Sequence, residues 1–293
     1  MTAPAGSSPE DALIHVNGAL YGTANGAGLN DAGVVFKMTT SGKVTAIYNF
    51  KGGSTNGAYP QAGLTYFNGT FYGTTTGGGA RNDGTVFAVT PAGKERVLHS
   101  FKGGSDGIDP EAGLIEVGGV LYGVTAEGGK HNDGVAFKVT TAGRESVLHT
   151  FSGPPNGFEP LGALTNVNGV LYGTTDGGGT GGGGTVFQMT TSGKERVIHN
   201  FVGGTDGDDP EAGLTYVNGL LYGTTGGGGT AEVGTVFSVT TSGEETVLYR
   251  FKNGNDSASP FAPLTYVKSD DTLYGTTVGG GPDGDGTVFA VSL

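Results

Sequence analysis

The chain repeats one pattern of apolar and polar positions six times. In the segment 160–201, four short apolar runs alternate with turn residues. They are Leu164-Thr-Asn-Val, a turn at Asn168-Gly169, Val170-Leu-Tyr-Gly-Thr-Thr, a glycine-rich stretch, Gly184-Thr-Val-Phe-Gln-Met-Thr, a turn at Thr191-Ser-Gly, and Glu195-Arg-Val-Ile-His-Asn-Phe. The runs are rich in β-branched and aromatic residues, with Asn-Gly or Ser-Gly between partners, which predicts strands joined as hairpins. No segment carries a 3.6-residue apolar period, so essentially no helix is expected. The four runs are designated strands A, B, C and D. Strand C is apolar on both faces, through Val186, Phe187 and Met189, as expected of a sheet sandwiched between neighbours.

The register of the copies is fixed by Tyr-Gly followed by Thr or Val, at Tyr21, Tyr72, Tyr122, Tyr172, Tyr222 and Tyr274, a period of 51, 50, 50, 50 and 52 residues. A phenylalanine always follows fifteen residues later (Phe36, Phe87, Phe137, Phe187, Phe237, Phe289), with a glycine three residues before it. Such constant spacing makes each copy one structural unit, with bounds near 9–59, 60–109, 110–159, 160–209, 210–259 and 260–293. A period of this size predicts a solenoid or a propeller. Four antiparallel strands per copy favour an all-β, six-bladed β-propeller of four-stranded antiparallel blades, one domain over residues 1–293, because solenoid coils are usually shorter. The glycine after each tyrosine is expected where a neighbouring backbone leaves no room for a side chain.

Strand D occurs only five times, ending at Phe50, Phe101, Phe151, Phe201 and Phe251, so the sixth blade is expected to lack its outer strand. The residues before Pro9 include Pro4, Gly6 and two serines, a poor candidate for the missing strand. An open edge of this kind also offers a route to self-association by strand addition from another chain.

Composition adds bounds. The 61 glycines and 12 prolines among 293 residues would indicate disorder without the periodicity, which instead makes them turn and close-packing residues. The net charge of -12 repels nucleic acid and anionic membrane surfaces, so neither is expected as a partner. There is no cysteine, which excludes disulfides and thiolate chemistry, and no apolar run long enough for a membrane span. The first residues have neither the basic region nor the apolar core of a signal peptide, so either the chain is cytoplasmic or a leader has been replaced by Met1.

The string Asn218-Gly-Leu-Leu-Tyr-Gly-Thr-Thr-Gly-Gly-Gly-Gly, then Gly234-Thr-Val-Phe-Ser-Val-Thr-Thr-Ser-Gly, then Val247-Leu-Tyr-Arg-Phe resembles the GloVer tandem repeat of bacterial surface and secreted proteins. The resemblance extends over about residues 9 to 293. It implies an extracellular or cell-surface, propeller-like array, and it brings no catalytic residues with it. The strand order is also similar to propellers of the NHL and gluconolactonase kind, a likeness of architecture that does not give function.

Antiparallel alternation puts the tight A to B and C to D turns on one face and the long B to C and D to A loops on the other, where binding or catalysis would be built. Positions that differ between copies carry the specific chemistry. In the B to C loops these are Arg81 and Asn82 of the second copy, and Lys130, His131 and Asp133 of the third, with His131 and Asp133 as an acid-base pair. On strand A, two residues after its leucine, the six copies hold His15, Tyr66, Glu116, Asn166, Tyr216 and Tyr266. Such a ring would suit a sugar, stacked on tyrosine and hydrogen-bonded by asparagine, with His15 and Glu116 as a second catalytic pairing. Asp206, Asp208, Asp209 and Glu211 could together offer calcium hard oxygen ligands. Against that, the repeated Asn56, Asp106, Asn156, Asp206 and Asp256 fit Asx turns feeding positive-φ glycines. His99, His149 and His199 share one strand D position with Tyr48 and Tyr249 and are expected to be surface residues without metal spacing. Three functions follow: a binding module for a glycan or protein through the long-loop face; a polysaccharide lyase or hydrolase, or an esterase, at the same face; or a structural unit assembled through the open sixth blade. The absence of tryptophan weighs against strong sugar stacking.

Overall fold

The computed structural model of the protein describes residues 6–293, and no helix occurs among them. The architecture is all-β: six antiparallel blades in a propeller arrangement, strand order A-B-C-D in the first five and A-B-C in the sixth. Strand A spans Ile14–Val16, Thr65–Phe67, Ile115–Val117, Thr165–Val167, Thr215–Val217 and Thr265–Val267. Strand B spans Ala19–Ala24, Thr70–Thr75, Val120–Thr125, Val170–Thr175, Leu220–Thr225 and Thr272–Thr277. Strand C spans Val34–Thr39, Thr85–Val89, Val135–Thr140, Thr185–Thr190, Thr235–Thr240 and Thr287–Ser292, and strand D Val44–Asn49, Glu95–Ser100, Glu145–Thr150, Glu195–Asn200 and Glu245–Arg250. The chain forms two compact units, residues 1–150 with blades 1 to 3 and residues 151–293 with blades 4 to 6.

Local sequence explains the turns. At Asn168-Gly169 both residues have positive φ, 52° and 85°, and Asn17-Gly18 and Asn68-Gly69 do the same. This is the backbone of a two-residue hairpin turn whose twist matches the flanking strands, and asparagine and glycine tolerate it best. The glycine after each tyrosine has a different reason from the one expected. A Cβ on Gly173 would lie 2.6 Å from Phe187 Cζ and 2.9 Å from Leu164 Cδ2. Gly173 pairs directly with Phe187 across strands B and C, so the ring of the same blade, not a neighbouring backbone, fills the space. Gly184 answers both needs, with φ of 90° and a virtual Cβ 2.4 Å from Thr175 O and 2.6 Å from Pro210 Cδ.

Adjacent blades within a unit are joined by recurring contacts. The phenylalanine that ends strand D packs edge-on against the strand C phenylalanine of the next blade: Phe50 on Phe87 and Phe101 on Phe137 in the first unit, Phe201 on Phe237 and Phe251 on Phe289 in the second, at 5.0 to 5.1 Å. Burying such rings contributes roughly 1.5 to 3 kcal/mol each. A strand B threonine hydroxyl donates to a carbonyl of the following blade, from Thr23 to Ala62 (2.8 Å), Thr74 to Ala112 (2.9 Å) and Thr174 to Ala212 (3.0 Å). Strand A of each blade approaches strand A of its neighbour within the unit, so these strands lie innermost and strand D outermost. Blade 6 departs from this pattern: Val288 on its strand C is 76% exposed, whereas the equivalent Val186 and Val236 are fully buried.

The long loops are knit together. Gly57–Ala58, in the loop entering blade 2, pairs antiparallel with Gly77–Gly78 of that blade's B to C loop, and Ser257–Ala258 pairs likewise with Gly279–Gly280. Single bridges do the same at Ile108 with Glu127 and Asp208 with Gly227.

Candidate functional site

The residue before each loop proline sits in the left-handed region although it is not glycine: φ is 61° at Tyr59, 57° at Asp109, 53° at Glu159, 56° at Asp209 and 55° at Ser259. Holding a side chain there costs on the order of 1 kcal/mol, and the bonds its carbonyl accepts hold it in place. Asp109 O accepts from Glu111 N and Ala126 N, both at 3.0 Å, and Asp209 O from Glu211 N (3.1 Å) and Gly226 N (2.8 Å). The side chains on either side of the proline are mostly acidic or aromatic, with Ser259, Gln61 and Leu161 as the exceptions.

In the first unit Glu111 is half-buried beside Asp109, Glu10 and Glu127. Burial first, then the Asp109 carboxylate and its hydrogen bond, pushes the Glu111 carboxyl up to about 7. Asp109 is raised as well, by burial and then by Glu127, while the hydrogen bond from Glu111 pulls it back. The hydrogen bond between them raises Glu111 and lowers Asp109, so it favours the proton on Glu111 over Asp109. In the second unit, burial and then Asp209, Glu159 and Asp208 push Asp176 up to about 6. Two aromatic rings at this face lie on glycines. Tyr59, 46% exposed, covers Gly77, and Phe261, 39% exposed, covers Gly226, where a Cβ would stand 2.8 and 2.3 Å from ring carbons. A side chain at either glycine would collide with the ring, and both rings keep part of their surface exposed to solvent.

The residues singled out in the sequence are distributed differently. Arg81, Lys130 and His131 are exposed loop residues, and no hydrogen bond or ion pair among the described residues joins His131 to Asp133. Asn82 serves its own loop, its Oδ1 accepting from Gly78 N at 2.9 Å, and Asn132 does the same for Gly128 N. On strand A, Glu116 accepts from Gly119 N and Asn166 from Gly169 N, so both cap the A to B turn on the tight-turn face. His15 and Tyr216 are exposed, Tyr66 packs on Phe71 (ring centroids 4.9 Å apart), and Tyr266 donates to Asp271 at 2.7 Å. The four residues suggested for calcium do not gather: Asp206 turns to His199, while Asp208 and Asp209 hydrogen-bond each other. Nor do the glycines after the Asx residues need positive φ, apart from Gly107. Gly57 and Gly207 are glycine because a Cβ would strike Thr75 or Thr225 at 2.6 to 2.7 Å. The Asx side chain instead caps the start of its loop, Asn56 accepting from Lys51 N at 2.9 Å and Asp206 from Val202 N at 3.1 Å.

His99, His149 and His199 are half-buried, not on the surface. His99 lies 3.0 Å from Asp106, and both approach Glu145 of the next blade; His199, Asp206 and Glu245 repeat the arrangement in the second unit. Burial, then Asp206, pushes Glu245 up to about 7, and burial lowers His199 against the opposing pull of Asp206. Sequence reasoning missed both these clusters and the Asp109–Glu111 pair. A signal for the pair was present in Asp109-Pro110-Glu111, Asp209-Pro210-Glu211 and Glu159-Pro160, where acids flank the repeated proline.

A model of the Gloeobacter/Verrucomicrobia repeat matches residues 1–137 and 109–293. The chain belongs to this family. The repeat family's recurring elements in this chain are the strand residues and turn glycines, while the acidic and aromatic residues beside the loop prolines vary from copy to copy. No curated protein matches the chain. Among solved structures it is similar to a gluconolactonase of Xanthomonas campestris, at 11% identity and a TM-score of 0.59, covering 97% of this chain and 86% of that one. A Thermus thermophilus oxidoreductase described as a glucose dehydrogenase is similar at 17% identity and 0.54, covering 98% and 97%. A TolB of Agrobacterium tumefaciens is similar at 8% identity and 0.50, covering 98% and 88%. At these identities the likeness is one of fold.

Proposed function

We propose that this protein is an extracytoplasmic binding propeller that takes a neutral or amino-sugar glycan on its long-loop face. The observation that carries the reading recurs in each unit, at and around equivalent repeat positions: an exposed aromatic ring against a glycine together with half-buried carboxyls, Tyr59 with Asp109 and Glu111 in the first unit and Phe261 with Asp176 in the second. A sugar presents an apolar face that stacks on a ring and a rim of hydroxyls that bond to carboxyl oxygens. The net charge of -12 and the carboxyls themselves disfavour uronate-rich polymers, and this counts against a lyase acting on them. The test is a glycan array followed by calorimetry on the whole chain. Tyr59→Ala and Phe261→Ala should each weaken the best ligand about tenfold or more, at about 1 to 3 kcal/mol per lost stacking contact. The reading fails if no glycan binds, or if binding is indifferent to both substitutions. Surface labelling of intact source cells tests the extracytoplasmic assignment.

One observation favours an enzyme at the same face. Glu111, held near 7 and hydrogen-bonded to Asp109, is a carboxyl that can give and take a proton at neutral pH. Two of the structural neighbours are described as a gluconolactonase and a glucose dehydrogenase, so sugar lactones and glycosides are the substrates to try. Turnover abolished by Glu111→Gln with ligand binding retained would establish this second reading, and absence of turnover on the panel would leave the binding module.

A further inference from the structure

Between the outer strands of neighbouring blades, two clusters of mixed ligand chemistry recur at one position of the repeat. We propose that His99, Asp106 and Glu145, and separately His199, Asp206 and Glu245, are two sites for a first-row divalent metal of the zinc kind, each clasping the outer strand of one blade to that of the next. The inference is independent of the glycan reading, since it uses other residues.

In each cluster one imidazole nitrogen and two carboxylate oxygens, one from each residue, all lie within 4.8 Å of one another. Ligand atoms about a tetrahedral zinc stand roughly 3.3 Å apart, given bonds near 2.0 to 2.1 Å, so closure needs shifts on the order of 1 Å in side chains alone. Three elements supply the ligands. The histidine comes from strand D, the aspartate from the loop that follows, and the glutamate opens strand D of the next blade. Two of the three are already oriented. His99 Nε2 faces Asp106 Oδ1 at 3.0 Å and Oδ2 at 3.2 Å, with the ring edge-on to Phe101 at 4.9 Å. His199 Nε2 lies 3.7 Å from Asp206 Oδ2, its ring edge-on to Phe201 at 4.7 Å, while Asp206 also caps Val202 N. The His99 and Asp106 side chains are 13% and 17% exposed, which leaves an entry path and room for water as a fourth ligand.

The repeat provides its own comparison. At the same position between blades 1 and 2 stand Tyr48, Asn56 and Glu95, closed by neutral hydrogen bonds. Tyr48 OH donates to Glu95 Oε2 (3.0 Å), and Asn56 Nδ2 reaches both Tyr48 OH (2.7 Å) and Glu95 Oε2 (3.2 Å). Where tyrosine becomes histidine and asparagine becomes aspartate, both donors to the glutamate are lost and a second carboxylate faces it. Glu145 Oε1 and Glu245 Oε1 are then buried without a hydrogen-bond partner among the described residues, as is His199 Nε2. Glu95 Oε1 is also unpartnered, but its Oε2 takes two donors. A nearby cation faces the glutamate at all three interfaces, Lys51 at Glu95, Lys102 at Glu145 and Arg250 at Glu245, so the added aspartate is the negative charge that a bound dication would offset. One nitrogen with two oxygens is a borderline donor set, suited to zinc-like ions better than to calcium, which takes six to eight oxygens.

The experiment uses the full chain, stripped with a chelator and titrated with zinc chloride by calorimetry, with the bound metal counted after desalting. Two zinc ions per chain and a rise in melting temperature with zinc are expected. His99→Gln and His199→Gln should each remove one ion, and the double variant both. The exchange H99Y with D106N installs the blade 1 network, so it should keep the fold while losing one ion, which guards against a variant that simply fails to fold. Cobalt(II) should give the intense visible absorption of a four-coordinate site. Absence of bound metal at about 0.1 mM free zinc, where any site of useful affinity would fill, overturns the proposal. So does retention of both ions in the double variant, which would locate them at the loop carboxylates instead.

Discussion

Gly173 and Gly169 stand four residues apart, yet they are glycine for different reasons. A methyl group on Gly173 would meet Phe187 and Leu164 below 3.0 Å, whereas on Gly169 it would meet nothing within 4 Å but would have to adopt a φ of 85°. Gly173→Ala should therefore cost about 1 to 3 kcal/mol as an overpacked core, and Gly169→Ala about 1 kcal/mol as backbone strain. Thermal unfolding of the two variants orders them. At the loop face, Glu111 makes a pH prediction. Its folded carboxyl, near 7, lies above the usual 4.5, so its contribution to stability is fully present below pH 4.5 and is lost as pH rises through 7. Glu111→Gln should match the wild type at pH 4 and exceed it at pH 8 by about 1 kcal/mol, once solvent screening of a partly exposed group is allowed for. Denaturant melts at the two pH values give the sign directly, and a variant less stable at pH 8 would refute it.

At the scale of the element, the interface between blades is a repeated set of contacts whose members can be tested in pairs. Thr174 Oγ1 donates to Ala212 O at 3.0 Å, and Thr174→Val should lose about 1 kcal/mol by leaving that carbonyl with one acceptor site unused. Thr224 holds the same position in blade 5, but its Oγ1 is buried without a partner among the described residues. The segment it would reach carries Pro263 where blade 5 has Gly213, and proline restricts the residue before it. Thr224→Val should accordingly be neutral or stabilising by up to about 1 kcal/mol. Equal losses at the two positions would show that the hydroxyl contact contributes nothing. Blade number and the A to D order were legible because apolar alternation and Asn-Gly turns are local signals. The pairing of strand D phenylalanine with the next blade's strand C phenylalanine joins residues about 36 positions apart, and no short window contains both.

For the molecule as a whole, blade 6 is the exception. Its sheet has three strands, and Val288 is 76% exposed where Val186 and Val236 are buried. Strand C amides of blade 6 should exchange with deuterium faster than those of blades 4 and 5, because that strand is an edge and theirs is flanked on both sides. Val288→Thr should change stability by less than about 0.5 kcal/mol, against about 1 to 2 kcal/mol for Val236→Thr. Protection in blade 6 equal to that in blade 5 would mean that another segment covers the edge.

The sequence by itself determined the repeat, the strands, the tight turns and the long-loop face, since these rest on patterns within a copy of about fifty residues and on their recurrence along the chain. Tertiary structure decided which polar groups meet. His99, Asp106 and Glu145 are spread over two copies, and Glu111 acquires its proton affinity first from burial, then from Asp109 on the same loop and from Glu10, two copies earlier in the chain. Charge, burial and coordination depend on distances in space, and a repeat brings together equivalent positions of neighbouring copies that its own linear order keeps fifty residues apart.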